Sequence, residues 1–446
     1  MLEVVKSAVL ITVLVFLAAC GDPSQFKPEQ PTPILETRAA NPAWDSFQKA
    51  FSSIESGYYG YAQLDFPALR TQYTRQLVTA CAKLDPCSLE VSDAVLDDLI
   101  AKINDGHTFR RTPLQTQIFY AKTQGQNLPC TGLEFVPLPN SSHLIVTRAI
   151  SSEAGFLAGL RRGDTVFALN NKSLETFGSQ AGALTAIQSE EIADRKFTLE
   201  VSSNNSVAGS AVRRTVTLEP KPCLSWLPSL EVRSDQIAVI TLYQFWFNSD
   251  IADRVHGLVR QAQQANARGM ILDLRHSSGG SLNEAIAAAG AFLPIVPSVR
   301  MEFKGGGTTQ YDYADGLVLS KNVGSSDGPY RTRVVRSPQR WTRPMVVLTN
   351  GSTRSAAEYL AFLIQRQSRA TILGQPSIGV LNTSAFVLTL EDGSLFGVTA
   401  ARSQEVDGKA FPERVTPNVI SPDDLAKLAQ GQDVLLESAV NRLLNP

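Results

Sequence analysis

Short apolar runs and amphipathic helical segments alternate along the chain from residue 223 to residue 446. The run "IAVITLYQF" has the β-branched, apolar character of a strand, and "DIADRVHGLVRQAQQANA" after it has apolar residues at helical spacing. "GMILDLR" then predicts a buried strand, and the order repeats as far as a helical tail. Because alternation of this kind is typical of α/β domains, we predict that fold class for residues 223–446.

The most informative segment is "VVLTNGSTRSAAEYLAFLI", residues 346–364. The apolar run Met345–Leu348 predicts a buried strand, residues 351–354 a turn, and the residues from Ala356 onward a helix. Two compatible interpretations of Ser355 follow. It can be the N-cap of the helix, with Glu358 completing a capping box. Its hydroxyl can also be a nucleophile, because the next backbone N–H lies at the positive end of the helix dipole, where it would stabilise an oxyanion.

Residues 44–122 have the apolar spacing of a helical region. The segment "SDAVLDDLIAKINDGHTF" continues that pattern, and Asp105 and Gly106 are expected to end its helix, with Gly106 in a left-handed C-terminal position. His107 therefore lies at a helix end rather than on an apolar face. A single histidine at such a position is more often structural than catalytic, so both roles stay open.

Residues 128–222 change to short strands and turns and resemble a PDZ domain. The resemblance rests on Gly132, Leu133, Glu134 and Phe135 as a carboxylate-binding loop and on the turn "GLRRGD" before a strand. A loop of this kind offers backbone N–H groups to the C-terminal carboxylate of a peptide, which adds to the sheet as a strand. The alternative is a small β-domain without a ligand.

Residues 1–20 contain one lysine and then the apolar run Ala8–Ala19, which is short for a membrane-spanning helix and suits a signal peptide. An N-terminal membrane anchor is the alternative. The motif "LAACG" resembles the lipobox of bacterial lipoproteins. This resemblance implies cleavage before Cys20, lipidation of Cys20, and a protein anchored on the periplasmic side of a bacterial membrane. Because residue 21 is glycine and not aspartate, it also implies the outer membrane. Residues 21–43 are rich in proline, glutamine and threonine and are expected to form a flexible tether.

Four further cysteines predict two disulfides. Cys81 and Cys87 are close in sequence, and Cys130 and Cys223 bracket the PDZ-like region. Disulfides are expected in an oxidising periplasm, whereas buried free thiols are the alternative. The cysteine spacings fit no zinc motif, so neither a metal nor another cofactor is expected. The net charge of -1, with basic and acidic residues interspersed, gives no reason to expect a nucleic-acid partner.

Four motifs in this order behind a PDZ-like region are similar to those of tail-specific (C-terminal processing) serine peptidases: "DLRHSSGG", "NGSTRSAAE", "ILGQPSIG" and "VTPNVISP". The resemblance covers nearly all of the chain from residue 44 onward. It implies a ClpP/crotonase-like α/β peptidase domain with Ser355 as nucleophile. It also implies an oxyanion hole formed by the N–H of Ala356 and that of Gly279 or Gly280.

The catalytic base is where the chain departs from most bacterial members. Val380 occupies the position of their catalytic lysine, and no lysine lies between Lys321 and Lys409. The motif "DGHT" resembles the tricorn-like branch, which uses a histidine, and this implies His107 as the base. His276, in the turn before the glycine pair, is the one rival. In that branch a carboxylate orients the imidazole. In "GKAFPERVTPNVI" Phe411 occupies its position and Glu413 follows two residues later, so the resemblance implies either Glu413, after a small shift, or another residue.

Two functions follow as hypotheses. The first is a lipid-anchored serine endopeptidase that cleaves C-terminal tails or unfolded proteins presented by the PDZ domain. The second is a lipoprotein adaptor that binds peptides on a peptidase scaffold with a degraded site. A crotonase-type enzyme acting on acyl-CoA is disfavoured, because no Gly-rich phosphate-binding loop is visible.

Overall fold

The computed structural model of the protein describes residues 41–124, 126–202, 213–223, 227–246 and 250–445. The predicted signal peptide, the lipidated Cys20 and the tether as far as residue 40 lie outside these residues. Within the described ranges, no helix has both the length and the apolar character needed to cross a bilayer.

The first part of the described chain is helical. Asn41 caps the first helix by accepting the Trp44 N–H, with a proline in the first turn, and Asp65 caps the second in the same manner through Ala68. The third helix ends at Ile103, its C-cap residue Asn104 is left-handed, and Gly106 two residues later also has the positive φ that was expected of it, at +71°. The elements are α1 (Pro42–Gly57), α2 (Phe66–Cys81), α3 (Leu89–Ile103), β1 (Phe109–Arg111) and α4 (Pro113–Thr123).

The next part is a small antiparallel β-domain. A six-stranded sheet has the order β3-β4-β5-β7-β8, with β6 beside β5, so β3 is an edge strand. A separate ribbon of β2 and β9 joins the entry and exit of the domain. Its elements are β2 (Leu128–Cys130), β3 (Leu133–Pro137), β4 (Leu144–Ala149), α5 (Ala154–Leu157), β5 (Thr165–Leu169), β6 (Lys172–Ser173), α6 (Gln180–Ile192), β7 (Phe197–Ser202), β8 (Arg213–Leu218) and β9 (Lys221–Cys223).

The two cysteine pairs are joined as expected. Cys81 at the end of α2 pairs with Cys87, with Cα atoms 5.3 Å apart. Cys130 pairs with Cys223 across the β2–β9 ribbon, with Cα atoms 5.8 Å apart. The second bridge closes the β-domain at the point where the chain enters and leaves it.

The last part of the chain builds two sheets with helices between their strands. Its elements are β10 (Ser229–Val232), β11 (Ile237–Thr241), α7 (Ile251–Gln264), β12 (Gly269–Asp273), α8 (Leu282–Ala289), β13 (Val299–Phe303), β14 (Thr308–Ala314), β15 (Leu317–Asn322), β16 (Tyr330–Val334), β17 (Met345–Thr349), α9 (Ala356–Arg366), β18 (Thr371–Gly374), β19 (Thr383–Thr389), β20 (Leu395–Gln404), β21 (Val419–Ile420), α10 (Leu425–Leu428) and α11 (Val434–Leu444).

The first of these sheets has the order β10-β11-β12-β17-β18-β21 and is parallel except between β10 and β11. β12 and β17 are buried along their whole length, which matches their continuous apolar sequences. Side chains such as Leu272 and Val347 pack under α7, α8 and α9, whereas alternate ones such as Ile271 and Val346 pack under α11. Helices on both faces therefore bury this sheet, and α9 begins just beyond the end of β17.

The second sheet is antiparallel and connects the N-terminal helices to the rest of the molecule. Its order is β1-β20-β13-β14-β15-β16, and β19 also pairs with β20. β1 pairs with β20 through Phe109 and Gly397, and the core of α1–α3 includes Phe396 and Val398 from β20. Because β1 begins two residues after His107, this pairing fixes where the histidine lies.

The mixed α/β fold with N-terminal helices is thus confirmed. Assignment of the β-domain to the PDZ class, the ClpP/crotonase-like description of the C-terminal half, and the domain boundaries stay predictions.

Candidate active site

Ser355 lies where β17 gives way to α9. Its backbone has φ 52° and ψ -117°, a conformation that is strained for a residue with a side chain. The helix begins at Ala356, so Ser355 is its N-cap residue, and its N–H donates to Glu358 Oε2 at 2.7 Å. The hydrogen bond from the N-cap N–H to Glu358 is one half of a capping box. The backbone of Ser355, however, does not have the extended conformation of an ordinary N-cap.

Glu358 is fully buried and organises the surroundings of this turn. Besides the Ser355 N–H, its carboxylate accepts the hydroxyl of Ser377 at 2.6 Å and the N–H groups of Gly379 at 3.1 Å and Val380 at 3.2 Å. Burial raises the pKa of Glu358, and these hydrogen bonds oppose the shift. The carboxylate thereby ties residues 377–380 to the start of α9, a role that its place in the capping box does not reveal.

His107 lies next to Ser355 although 248 residues separate them in the sequence. The distance from His107 Nε2 to Ser355 Oγ is 3.2 Å, and that from Nδ1 to Thr383 Oγ1 is 2.8 Å. Burial, and secondarily the positive charge of Arg354, lower the pKa of His107 to about 4, against a smaller opposite effect of Asp105. The imidazole is therefore neutral at neutral pH. A proton on Nδ1, donated to Thr383, leaves Nε2 free to accept the serine hydroxyl.

The carboxylate expected to orient the imidazole is not Glu413. Its carboxylate bonds to Arg414 at 2.5 Å, its side chain is 62% exposed, and Thr383 occupies the position at Nδ1. A threonine hydroxyl fixes the ring and its tautomer, but it brings no negative charge to stabilise an imidazolium. The nearby carboxylate of Asp105 is engaged locally, since it accepts the Thr108 N–H at 2.7 Å.

The glycine pair of the "DLRHSSGG" loop lies against the nucleophile turn. A Cβ added to Gly279, which has φ +77°, would be 2.7 Å from Ser355 Cβ and 3.1 Å from the nitrogen of Ala356. A Cβ on Gly280 would instead meet the backbone of Phe245 at 2.5 Å. In the described chain, neither the Gly279 nor the Ala356 N–H donates a hydrogen bond. Gly279 is therefore the glycine that lies beside the reacting hydroxyl, with an amide free for an oxyanion.

His276 has other partners. Its ring Nε2 lies 3.1 Å from Asn350 Nδ2 and 3.4 Å from Asp423 Oδ2, and the backbone N–H of His276 donates to Asn350 Oδ1. Its ring thus belongs to the polar contacts that anchor the glycine loop. Across the described ranges, no cluster of three or more His, Cys, Asp or Glu side chains could hold a metal ion.

The residues Gly132–Phe135 lie at the start of β3, the edge strand of the β-domain. Gly132 has φ +73°, and a Cβ there would meet Glu153 Cβ at 2.2 Å, so the turn requires glycine. A groove between β3 and α6 is lined by Leu133, Glu134 and Phe135 from the strand and by Leu184 and Ile187 from the helix. A free strand edge beside an apolar helix face has the form needed for strand addition by a peptide.

Part of the chain is similar to known peptidases. Residues 236–421 match Peptidase family S41. The carboxyl-terminal-processing protease of Synechocystis sp. is 27% identical over 324 residues, which are 70% of this chain and 66% of that protein. The carboxy-terminal processing protease of Bacillus subtilis is 24% identical over 287 residues, 64% of this chain and 55% of that protein. The chain thus spans between half and two thirds of the length of these curated relatives.

Two solved structures share the fold. The photosystem II D1 C-terminal processing protease superposes with a TM-score of 0.51 at 18% identity, over 88% of this chain and 98% of that one. A family S41 protein from Bacteroides fragilis gives a TM-score of 0.53 at 15% identity, over 86% and 98%. At these identities, the likeness concerns the fold alone.

Proposed function

We propose that the chain is a serine endopeptidase of the family S41 type that cleaves C-terminal tails or unfolded proteins, and the match of residues 236–421 to Peptidase family S41 supports this. The observation that carries the proposal is the 3.2 Å contact between Ser355 Oγ and His107 Nε2. A hydroxyl on a strained turn, next to a buried neutral imidazole and two amides free of other bonds, has the geometry of an acyl-transfer site.

The reaction then proceeds in two steps. Ser355 Oγ attacks the carbonyl carbon of the scissile bond while His107 Nε2 takes its proton, and the amides of Ala356 and Gly279 donate to the resulting oxyanion. The tetrahedral intermediate collapses to an acyl ester on Ser355, and His107 returns the proton to the leaving amine. A water molecule, deprotonated by the same imidazole, hydrolyses the ester and releases the acid.

The β-domain is proposed to act as a PDZ module that presents the substrate, through the loop Gly132–Phe135 and the β3–α6 groove. The lipobox-like motif supports lipidation of Cys20. We propose on that ground that the protein is anchored on the periplasmic side of a bacterial outer membrane. The rival hypothesis of a degraded, peptide-binding adaptor is less well supported, because base and nucleophile are within hydrogen-bonding distance.

Labelling with a fluorophosphonate probe tests the proposal. The wild-type protein should form a covalent adduct, and Ser355→Ala should form none because the reacting oxygen is gone. Intact-protein and peptide mass spectrometry would locate the adduct, with Ser352→Ala as the matched serine control, since Ser352 is an exposed residue of the same turn. An absence of adduct in the folded wild-type protein would favour the adaptor instead.

The low pKa of His107 predicts an unusual pH profile. The imidazole must be neutral to accept the proton of Ser355, and kcat/KM reports the ionisation of the free enzyme. Because burial lowers the pKa of His107 to about 4, kcat/KM should stay constant as the pH is lowered through 6.5 and fall only near pH 4. Stopped assays between pH 3.5 and 8, each with a check that the protein is folded, would measure the midpoint. A midpoint at or above 6.5 would contradict the buried, neutral imidazole.

A further inference from the structure

A cavity opens beside the nucleophile on the side of His107. Its volume is about 590 Å³, and its lining includes Asp105 and Gly106 before His107, Thr383 behind it, and Arg354. In acyl transfer the base returns its proton to the leaving amine, so the segment that leaves must pass on the side of the imidazole. The position of the cavity therefore suits the part of a substrate that follows the scissile bond.

Arg354 is the unusual residue of this cavity. Its backbone is fixed, because its N–H donates to Ser277 O at 3.0 Å and its carbonyl accepts the Ala357 N–H at 3.1 Å. Within the described residues, its guanidinium makes neither a hydrogen bond nor an ion pair within 4.0 Å. The nearest carboxylate to influence it, that of Glu358, is already bonded to four other donors. A partly buried guanidinium in this state has unused donors, and Arg354 is one of the residues that line the cavity.

Two carboxylates, Asp105 and Glu413, also line the cavity, and within the described residues neither of them bonds to Arg354. Glu413 is paired with Arg414, and Asp105 accepts the N–H of Thr108. A second cation, Arg111, lies near Arg354 without lining the cavity; it forms no ion pair in the described chain, and its Nε is buried without a partner. Burial lowers the pKa of both guanidinium groups, and the charge of Arg354 lowers that of Arg111 further. A guanidinium without a bonded carboxylate favours the binding of an anion, because it can form charge-assisted hydrogen bonds with it.

We propose that this cavity is a subsite for a carboxylate carried by the leaving segment of the substrate, and that Arg354 is the residue that binds it. Arg354 directly precedes the nucleophile, and an extended peptide advances roughly 3.3 Å per residue. The carboxylate therefore lies within the first two or three residues after the scissile bond. It is either the free C-terminus of the substrate, in which case the enzyme trims very short C-terminal segments, or an Asp or Glu side chain. This proposal rests on the proposed peptidase function and adds a substrate preference to it.

Matched peptides test it. Three series of decapeptides share the same neutral residues up to the scissile bond. The first ends in Ala-Leu with a free carboxylate, the second in Ala-Leu amide and the third in Ala-Glu amide. Mass spectrometry measures the cleavage of each. A hydrogen-bonded ion pair contributes enough binding free energy for a kcat/KM about 10- to 100-fold higher for the carboxylate peptides than for the neutral amide. A preference limited to the first series identifies the chain terminus as the source, and one shared by the third identifies acidic side chains as well.

Arg354→Gln should abolish this preference, so that the ratio of kcat/KM for the carboxylate peptide to kcat/KM for the neutral amide falls to about 1, because the lost interaction is with the carboxylate. Arg354→Lys should retain part of it. Arg331→Gln, which removes an exposed charge elsewhere, should retain all of it. No preference in the wild-type protein, or an Arg354→Gln variant that slows the neutral peptide as much as the charged ones, would overturn the proposal.

Binding to the Ser355→Ala variant separates this proposal from the peptidase function. N-acetyl-Ala-Leu should bind this variant more tightly than its amide, measured by NMR titration, and the difference should vanish in Ser355→Ala/Arg354→Gln. If no peptide were hydrolysed but this difference were present, the peptidase function would fail and the carboxylate site would stand. Equal binding of acid and amide would remove the carboxylate site, whatever the outcome of the hydrolysis assays.

Discussion

Replacement of His107 by glutamine should lower kcat/KM on the order of 10⁴-fold or more, comparable to the loss of the base from other serine peptidases. His107 is the residue whose nitrogen faces Ser355 Oγ, at 3.2 Å, and the described structure offers that hydroxyl no other base. Glutamine fills most of the same buried space and can still bond to Thr383, so the fold should persist. Hydrolysis of a peptide substrate gives the rate, and circular dichroism with thermal unfolding checks the fold.

The controls for this prediction use the other histidines and the nucleophile. His276→Gln tests the rival base and should retain most of the activity, since the ring of His276 contacts Asn350 and Asp423. His143→Gln, in the β-domain, is the matched control for loss of a histidine. Because base and nucleophile act as a unit, His107→Gln/Ser355→Ala should be no slower than Ser355→Ala alone. An active His107→Gln beside an inactive His276→Gln would contradict the assignment.

The parts of the site that sequence predicted are those that local signals specify. An apolar run, a turn and an amphipathic segment predicted a strand from Met345 and a helix from Ala356, and β17 and α9 begin at those residues. The end of α3 at Ile103 likewise lies four residues before His107. That these two points, 248 residues apart, meet was implied by resemblance to a peptidase family and not by any local pattern.

What the sequence did not predict depends on long-range strand pairing. His107 precedes β1 and Thr383 begins β19, and β20 lies between these two strands, with Gly397 opposite Phe109 on one side and Val387 on the other. No spacing along the chain reveals that shared partner, and so Glu413, suggested by its position in a motif, was the wrong residue to place at the imidazole. The antiparallel strands β13–β16 were not predicted for the same reason. Arg354 also went unnoticed, because an unpaired guanidinium is visible only when its surroundings are known.

The glycine loop beside Ser355 depends on an ion network around Arg275. This buried guanidinium bonds to Asp273 at 2.7 Å, to Asp433 at 2.8 Å and to Asp423 at 3.0 Å. Asp433 also accepts Arg162 of the β-domain at 2.9 Å. Arg275 lies four residues before Gly279, so the same network anchors the amide proposed for the oxyanion and one contact with the β-domain.

Arg275→Met should therefore reduce the free energy of unfolding at pH 7 by about 3–5 kcal/mol, since it leaves buried carboxylates without their cation. Burial raises the pKa of Asp433, but the charges of Arg275 and Arg162 outweigh it and hold that pKa well below its ordinary value. The pKa of Asp423 is also well below its ordinary value: burial raises it, and the hydrogen bond from His276 is the largest of the causes that lower it. In the wild type this stabilisation is present above the ordinary pKa of 3.8 and is lost as the pH falls below it.

In Arg275→Met the contribution of these carboxylates to the pH dependence of stability has the opposite sign. Without the cation, burial raises their pKa, and their protonation at low pH then removes the cost of burying a negative charge. The difference in unfolding free energy between the two proteins should thus be largest at pH 7 and smaller at pH 4.5. Urea unfolding at both pH values measures it, with Arg331→Met as the control for loss of an exposed arginine. Fluorophosphonate labelling of the folded variant should also slow, because Gly279 is no longer held against Ser355. Equal urea midpoints for variant and wild type at pH 7 would show that the loop is held by other contacts.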